Sequence, residues 1–348
     1  MTRVWPFSIG FLAPPLVFLA VERGGWWSLL PVLLLYAGLP VGDALLGLSA
    51  RIHGPDEIAR LSEAWSFRLI TWLWVPVQAA LVLWAVHRFA TAPLTPVEQV
   101  GLLLSVGTVT GGIGITYAHE LVHRSGRFEL ALGDVLLALV SYPHFAIEHV
   151  YGHHRHVGTP ADPVTARRGE GLYRFMARAI PGSVAHAWHI EVERARRAGR
   201  AVWSPGNRMV RYAITLLALY AAVGLAWGPR AVIALAVQSV VAFSLLETIN
   251  YIEHYGLVRA EIAPGQFERV SARHSWDSNH RVSNWLLINL ARHADHHLLA
   301  SKRYQVLDST DAAPQLPAGY GTMLLVACVP PLWRRVMHPR LDALTASR

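Results

Sequence analysis

Residues 97–123 read VEQVGLLLSVGTVTGGIGITYAHELVH. This is an apolar run of the length a membrane-spanning helix needs, about 20 residues, and it ends in two histidines four positions apart. Five further apolar stretches accompany the run at roughly 8–22, 27–48, 67–89, 209–227 and 230–252. With 97–118 they predict about six transmembrane helices. The composition agrees, because 53% hydrophobic and 16% charged residues over 348 positions is too apolar for an ordinary soluble protein. Thirteen Trp and eleven Tyr suit membrane interfaces. The expected fold is an all-α integral membrane protein with one domain over residues 1–348. A signal peptide is the competing reading of the first stretch, which is short, broken by Pro14 and Pro15 and preceded by Arg3, but no convincing small-residue cleavage site follows it.

The net charge is +8, and the basic residues are unevenly placed. Arg167, Arg168, Arg174, Arg178, Arg194, Arg196, Arg197, Arg200, Arg208 and Arg211 precede the fifth span, and a second set follows residue 258. The loops expected on the opposite side carry little beyond Arg23, Arg88 and Arg230. This asymmetry predicts an inner-membrane protein whose termini and segments 119–208 and 253–348 are cytoplasmic. Basic juxtamembrane loops of this kind bind anionic lipid and explain the charge without nucleic acid. Another apolar stretch lies between Leu130 and Ile147. Were it to cross, the histidines before and after it would lie on opposite faces, so it is expected to dip into the membrane or pack on the bundle.

Eighteen histidines are present, and nine fall in four clusters. His119 and His123 close the fourth span; His149, His153 and His154 follow Glu148; His254 ends the sixth span; His293, His296 and His297 lie near Asp295. Spacings of three and four place imidazoles on one helical face, where they can share a metal. The topology puts all nine on the same side. Nine ligands are too many for one catalytic zinc, which takes three protein ligands and a water, and two metals divide them comfortably. Imidazole suits iron, copper, nickel and zinc alike. A histidine-rich site under an apolar bundle suits redox chemistry on a lipid-soluble substrate. The bland reading, isolated interfacial histidines, fits His53, His87, His186, His189 and His338 better than the clusters, while His144, His156, His274 and His280 stand near enough to support or join the ligands.

Glu120, Glu148, Glu253 and Asp295 interleave with the clusters. They are expected to orient metal-bound imidazoles through the second ring nitrogen, with direct ligation by one of them as the alternative. The single cysteine, Cys328, excludes a disulfide framework or a thiolate iron–sulfur module within this sequence, so electrons must arrive from another chain. The sequence His119-Glu120-Leu121-Val122-His123 also matches the zinc-protease motif, a reading that leaves most of the clustered histidines unused. A metal transporter would want charged or ligating residues along its spans, which are nearly free of them. Gly38, Gly42 and Gly47 in the second span and Gly111, Gly112 and Gly114 in the fourth either leave room for a chain-like substrate or let helices approach closely.

At AHELVHR (118–124), EHVYGHHRHVGTPADPVTARRGE (148–170), NYIEHYGL (250–257), HSWDSN (274–279), RHADHH (292–297) and the stretch 304–341, the chain resembles the bacterial alkane 1-monooxygenases, within the wider membrane fatty-acid desaturase and hydroxylase superfamily. GLPVGDALLG (38–47) matches loosely, Arg124 stands where many members have Lys, and Val150-Tyr151 is a variant of the second motif. The resemblance implies a cytoplasmic non-haem di-iron centre held by His119, His123, His149, His153, His154, His254, His293, His296 and His297. It implies terminal hydroxylation of a medium- or long-chain alkane by O2, with electrons from a rubredoxin, or a ferredoxin, and its NAD(P)H-dependent reductase. Hydroxylation of an aryl methyl as in xylene monooxygenases, or of a lipid, and desaturation are the alternatives within the superfamily.

Overall fold

A computed structural model of the chain describes residues 3–346. Six helices are long and apolar enough to span a bilayer: α1 (Trp5–Arg23), α2 (Gly25–Leu46), α4 (Trp65–Thr91), α5 (Pro96–Val122), α9 (Arg208–Trp227) and α10 (Pro229–His254). Between α2 and α4 lies the short α3 (Pro55–Glu63). The protein is therefore a multi-pass membrane protein, and its surface fits that solvent. Trp26, Leu45, Leu217 and Leu225 are 77%, 78%, 72% and 90% exposed, which only a lipid environment makes inexpensive. The prolines that threatened the first span are accommodated locally. Residues Trp5–Leu12 form a 3-10 helix and the regular helix starts at Ala13, so Pro14 falls in a first turn where its missing N–H is not needed.

α5 is the enclosed centre of the bundle. Of its two acidic residues, Glu98 is spent at the start, where one carboxylate oxygen accepts from the backbone N–H and hydroxyl of Thr95 (2.8 Å each) and the other from Gly25 N–H (2.7 Å), tying α5 to the first turn of α2. The glycines of α5 let its neighbours close in. A Cβ on Gly111 would sit 2.6 Å from the Ala242 carbonyl oxygen on α10, and one on Gly107 would strike Val241. Gly114 lies against Gln78 of α4 and Gly42 against Val282, while Gly47, with φ +66°, ends α2. Close packing is thus the task of Gly42, Gly107, Gly111 and Gly114, whereas Gly38 and Gly47 have no close neighbour; of the six glycines singled out in the sequence, Gly111 and Gly112 also border a cavity described below.

The stretch 130–147 does not cross. α6 (Arg127–Ala138) has 12 residues, roughly 18 Å at 1.5 Å per residue, and packs along α5 and α4. The chain then reverses at Ser141, φ 55°. Residues 145–156 form α7, whose middle, Glu148–His153, is a π-helix. A 26-residue helix, α8 (Leu172–Arg197), follows within the segment 119–208, where the sequence reading named no helix. After α10 comes a hairpin of β1 (Glu261–Ala263) and β2 (Gln266–Phe267), a small exception to the all-helical expectation. Then come α11 (Arg281–Leu286), α12 (His293–Leu298), α13 (Tyr320–Ala327) and α14 (Pro330–Ala346).

Candidate metal centre

Four helix segments deliver the clustered histidines to one place. α5 brings His119 and His123, α7 brings His149, His153 and His154, α10 ends on His254, and α12 carries His293, His296 and His297. All nine come together and sort into two groups. His119, His123, His149, His154 and His296 form one, and His153, His254, His293 and His297 the other, with the ligand nitrogens of each group within 4.8 Å of one another. The groups adjoin: the His154 ring stacks on His297 with centroids 4.4 Å apart, and His149 stacks on His153 at 5.2 Å.

The division departs from simple helical counting. Spacing pairs His149 with His153 at i and i+4, but the π-turn widens the helix so that His149 meets His154, five residues on, with Nε2 atoms 3.1 Å apart. His153 is thereby released to the other group. A second π-turn, Thr110–Gly114, lies one turn before His119 and resets the direction in which His119 and His123 point. On α12, His293 and His297 stay together, Nε2 to Nε2 2.9 Å, whereas His296 crosses to meet His154 at 3.0 Å.

The donor chemistry fits metal ions. The Nε2 atoms of His119, His123 and His153 are buried without a hydrogen-bond partner among the described residues, a costly state for an imidazole nitrogen unless something else satisfies it. Burial, and then the neighbouring imidazoles, push His123, His149, His154, His293, His296 and His297 well below the usual imidazole range. They are therefore neutral, the form that ligates metals. His153 differs: burial opposes its protonation, but Asp162 outweighs this and raises it.

The supporting groups are partly those expected. His153 Nδ1 meets Asp162 Oδ2 at 2.9 Å, and Asp162 also accepts from Thr165 Oγ1 and Val164 N–H. His254 Nδ1–H donates to the His274 carbonyl at 3.1 Å, leaving Nε2 for a metal. Glu253 lies 3.3 Å from His293 Nε2 and accepts from Tyr320 OH at 2.8 Å. The other three carboxylates singled out by position face elsewhere. Glu120 is turned to Arg124, Arg303 and Tyr304 N–H, Asp295 to Lys302 and Asp308 N–H, and Glu148 to His186 Nδ1 at 3.1 Å. Asp162 had no helical spacing to mark it, since it reaches His153 across the loop at Thr159–Asp162; its only signal is its place inside the EHVYGHHRHVGTPAD motif.

Two histidines expected at the surface are not free there. His53 is buried against Asp308, and His186 is tied to Glu148. His144 instead bonds Ser183, His280 bonds Ser278, and the His274 ring faces Ser271 and Glu268, so none of these rings joins the two groups. His156 lies beside His186, His189 pairs with Glu193, His338 meets Tyr255 OH, and His87 rests near Trp227.

A narrow apolar cavity of about 50 Å³ runs from Leu35, Tyr36 and Leu39 of α2, past Gly111–Thr116 of α5 and Leu245–Ile249 of α10, to His119, His149 and His293. It touches both histidine groups. Phe145 stacks on His149 with centroids 4.6 Å apart at its inner end. The arrangement suits two metals side by side, opening onto a mainly apolar cavity.

Comparison with known proteins gives the same picture. The model of the fatty acid desaturase family matches residues 95–326. The chain is similar to alkane 1-monooxygenase 2 of Pseudomonas aeruginosa, 39% identical over 98% of this chain and 92% of that protein. It is also similar to alkane 1-monooxygenase of Ectopseudomonas oleovorans, 37% identical over 97% and 85%. The hydroxylase component of the xylene/toluene monooxygenase of Pseudomonas putida is more distant, 29% identical over 89% and 81%.

Proposed function

This chain belongs to the fatty acid desaturase family and, within it, to the alkane 1-monooxygenases, and we propose that it hydroxylates the terminal methyl of an alkane at a di-iron centre held by the nine clustered histidines. The observation that carries the reading is the pairing of two groups of mostly neutral imidazoles with an apolar cavity that reaches both. The balanced reaction is RH + O2 + 2 e⁻ + 2 H⁺ → ROH + H2O. Bound iron would supply the O2-activating redox chemistry. The chain's own residues hold, aim and exclude. His119, His123, His149, His154 and His296 would hold one ion, and His153, His254, His293 and His297 the other. Asp162 and the His274 carbonyl fix the orientation of His153 and His254. Leu245, Leu246, Leu287 and Leu290 keep bulk water from the reacting carbon and leave an apolar chain one lengthwise approach. A passage without polar recognition discriminates by shape, and one methylene is worth about 1–3 kcal/mol there, so a range of medium and long chains is accepted.

Residues 1–348 act as one unit, because the proposed ligands come from positions 119 to 297 on four separate helices. With one cysteine, the chain depends on an external donor, a rubredoxin or ferredoxin with its NAD(P)H-dependent reductase. The arginine asymmetry supports the bacterial inner membrane with the site on the cytoplasmic side. The intramembrane protease reading is disfavoured by Glu120, whose carboxylate is held by Arg124 and Arg303 where a general base is required. The distant relative acting on xylene or toluene makes aryl methyl groups the second substrate class. Membranes containing the protein, rubredoxin, reductase and NADH, given octane or toluene under 18O2, test the proposal together with a metal count. Labelled 1-octanol that disappears in His149→Ala supports it. Labelled benzyl alcohol alone would move the substrate to the second class, and zinc with no oxygen uptake would refute the di-iron reading.

A further inference from the structure

A second cavity, of about 270 Å³, lies outside the metal centre where α1 begins, α2 has just ended and α11 packs against both. Arg3, Arg51, Arg281 and Arg292 line it, and among the described residues no carboxylate does. The nearby acids are committed: Glu57 pairs with Arg51 at 2.7 Å, and Asp308 with His53 and Lys302. The lining also carries unsatisfied polar atoms. Arg292 is 4% exposed and donates to the Leu307 and Ser49 carbonyls, yet its Nε has no partner among the described residues, and neither has Arg281 Nε. Asn284 and Gln305, 2% and 0% exposed, spend their amide N–H groups on main-chain carbonyls and leave Oδ1 and Oε1 without partners among the described residues. The remaining wall is apolar, formed by Trp5, Pro6, Phe7 and Trp285, with the two indole rings 5.9 Å apart.

Four gathered guanidinium groups, of which Arg51 alone has a carboxylate partner, call for an anion, and free amide oxygens call for a ligand that also donates. An indole pair at the mouth of a span marks headgroup depth, where the anion at hand is a phosphate. We propose that this cavity binds a phosphate ester, the chemistry shared by a phospholipid headgroup and a free phosphate compound, with the arginines on the phosphate and Asn284 and Gln305 accepting from a hydroxyl or ammonium attached to it. The Trp5–Trp285 wall favours the lipid source, because a soluble phosphate has no apolar part to lay against it. Arg292 stands immediately before the first turn of α12, so an occupant also braces the helix that carries His293, His296 and His297. The site does not depend on the reaction catalysed.

The test is native mass spectrometry of the full-length protein in mild detergent with phosphatidylglycerol and phosphatidylcholine in equal amounts, then with inorganic phosphate added. The expected result is one retained phosphatidylglycerol, reduced roughly tenfold or more in an Arg51→Gln/Arg281→Gln double variant whose metal content and elution volume match wild type. A phosphate adduct that replaces the lipid supports the same site and assigns the source to the free anion. Equal retention by wild type and the double variant overturns the proposal. Should that variant misfold, wild type alone decides: no preference for phosphatidylglycerol and no phosphate adduct also overturns it, and Arg3→Gln, at an exposed position, supplies a milder change.

Discussion

Asp162 and His153 form a buried carboxylate–imidazole pair at 2.9 Å, and the pair shows how the site can keep one histidine in a single orientation. Burial opposes the charge of Asp162, but His153, Thr165 and the Val164 N–H more than offset it and hold the carboxyl below its usual range. Asp162→Asn keeps the shape and removes the charge, and should weaken metal binding or activity by roughly 10–100-fold, read as iron retained after dialysis against a chelator. The two histidine groups make a sharper forecast. His296→Ala removes a nitrogen from the five-histidine group and His297→Ala one from the four-histidine group. Each should lower bound iron by about one ion per chain, and the two residual signals in Mössbauer spectra should differ from each other. Identical residual spectra would contradict the division.

At the level of helices and turns, π-geometry decides which histidines meet. Deleting Gly112 should convert Thr110–Gly114 to ordinary helix with His119 and His123 still facing the site, because a π-turn takes up one extra residue, whereas deleting Thr116 from the regular helix beyond it should turn both by about 100°. Metal binding is then lost in the second variant alone, while membrane insertion, followed by glycosylation-site or cysteine-labelling topology mapping, is retained in both. The loop after α12 carries a different dependence. Burial disfavours a charged Asp308, but Lys302 and His53 outweigh it and hold the carboxyl below its ordinary range. Its ionised form therefore stabilises the fold at pH values above the unfolded pKa of about 4. That contribution is lost as pH falls through the lower folded value. Thermal midpoints in detergent should drop in this window, and Lys302→Met should flatten the drop.

Across the whole molecule, the reaction proposed above needs an electron donor that the single cysteine does not supply, and the basic segments would offer that donor a docking surface. If the donor is an acidic rubredoxin-type protein, the second-order rate of reduction should fall steeply with added salt, while turnover at saturating donor stays nearly constant, as expected where complementary charge raises encounter rate. A salt-independent rate would remove charge from the account of docking. At this scale the six spans and the nine clustered histidines are legible in the chain, because hydropathy over about 20 residues and spacing along a helix are local properties. The path of residues 130–147 was legible by parity alone. α8 was not, since a helix whose apolar positions serve packing beside charged faces gives no spanning signal. What the sequence by itself determined is the solvent, the number of crossings and the identity of the imidazoles that gather. The tertiary structure decided which histidines share a site, that Asp162 and the His274 carbonyl aim two of them, and that Glu120 and Asp295 serve cations instead. Those outcomes rest on π-turns and on contacts between residues far apart in the chain, and helical periodicity carries no record of either.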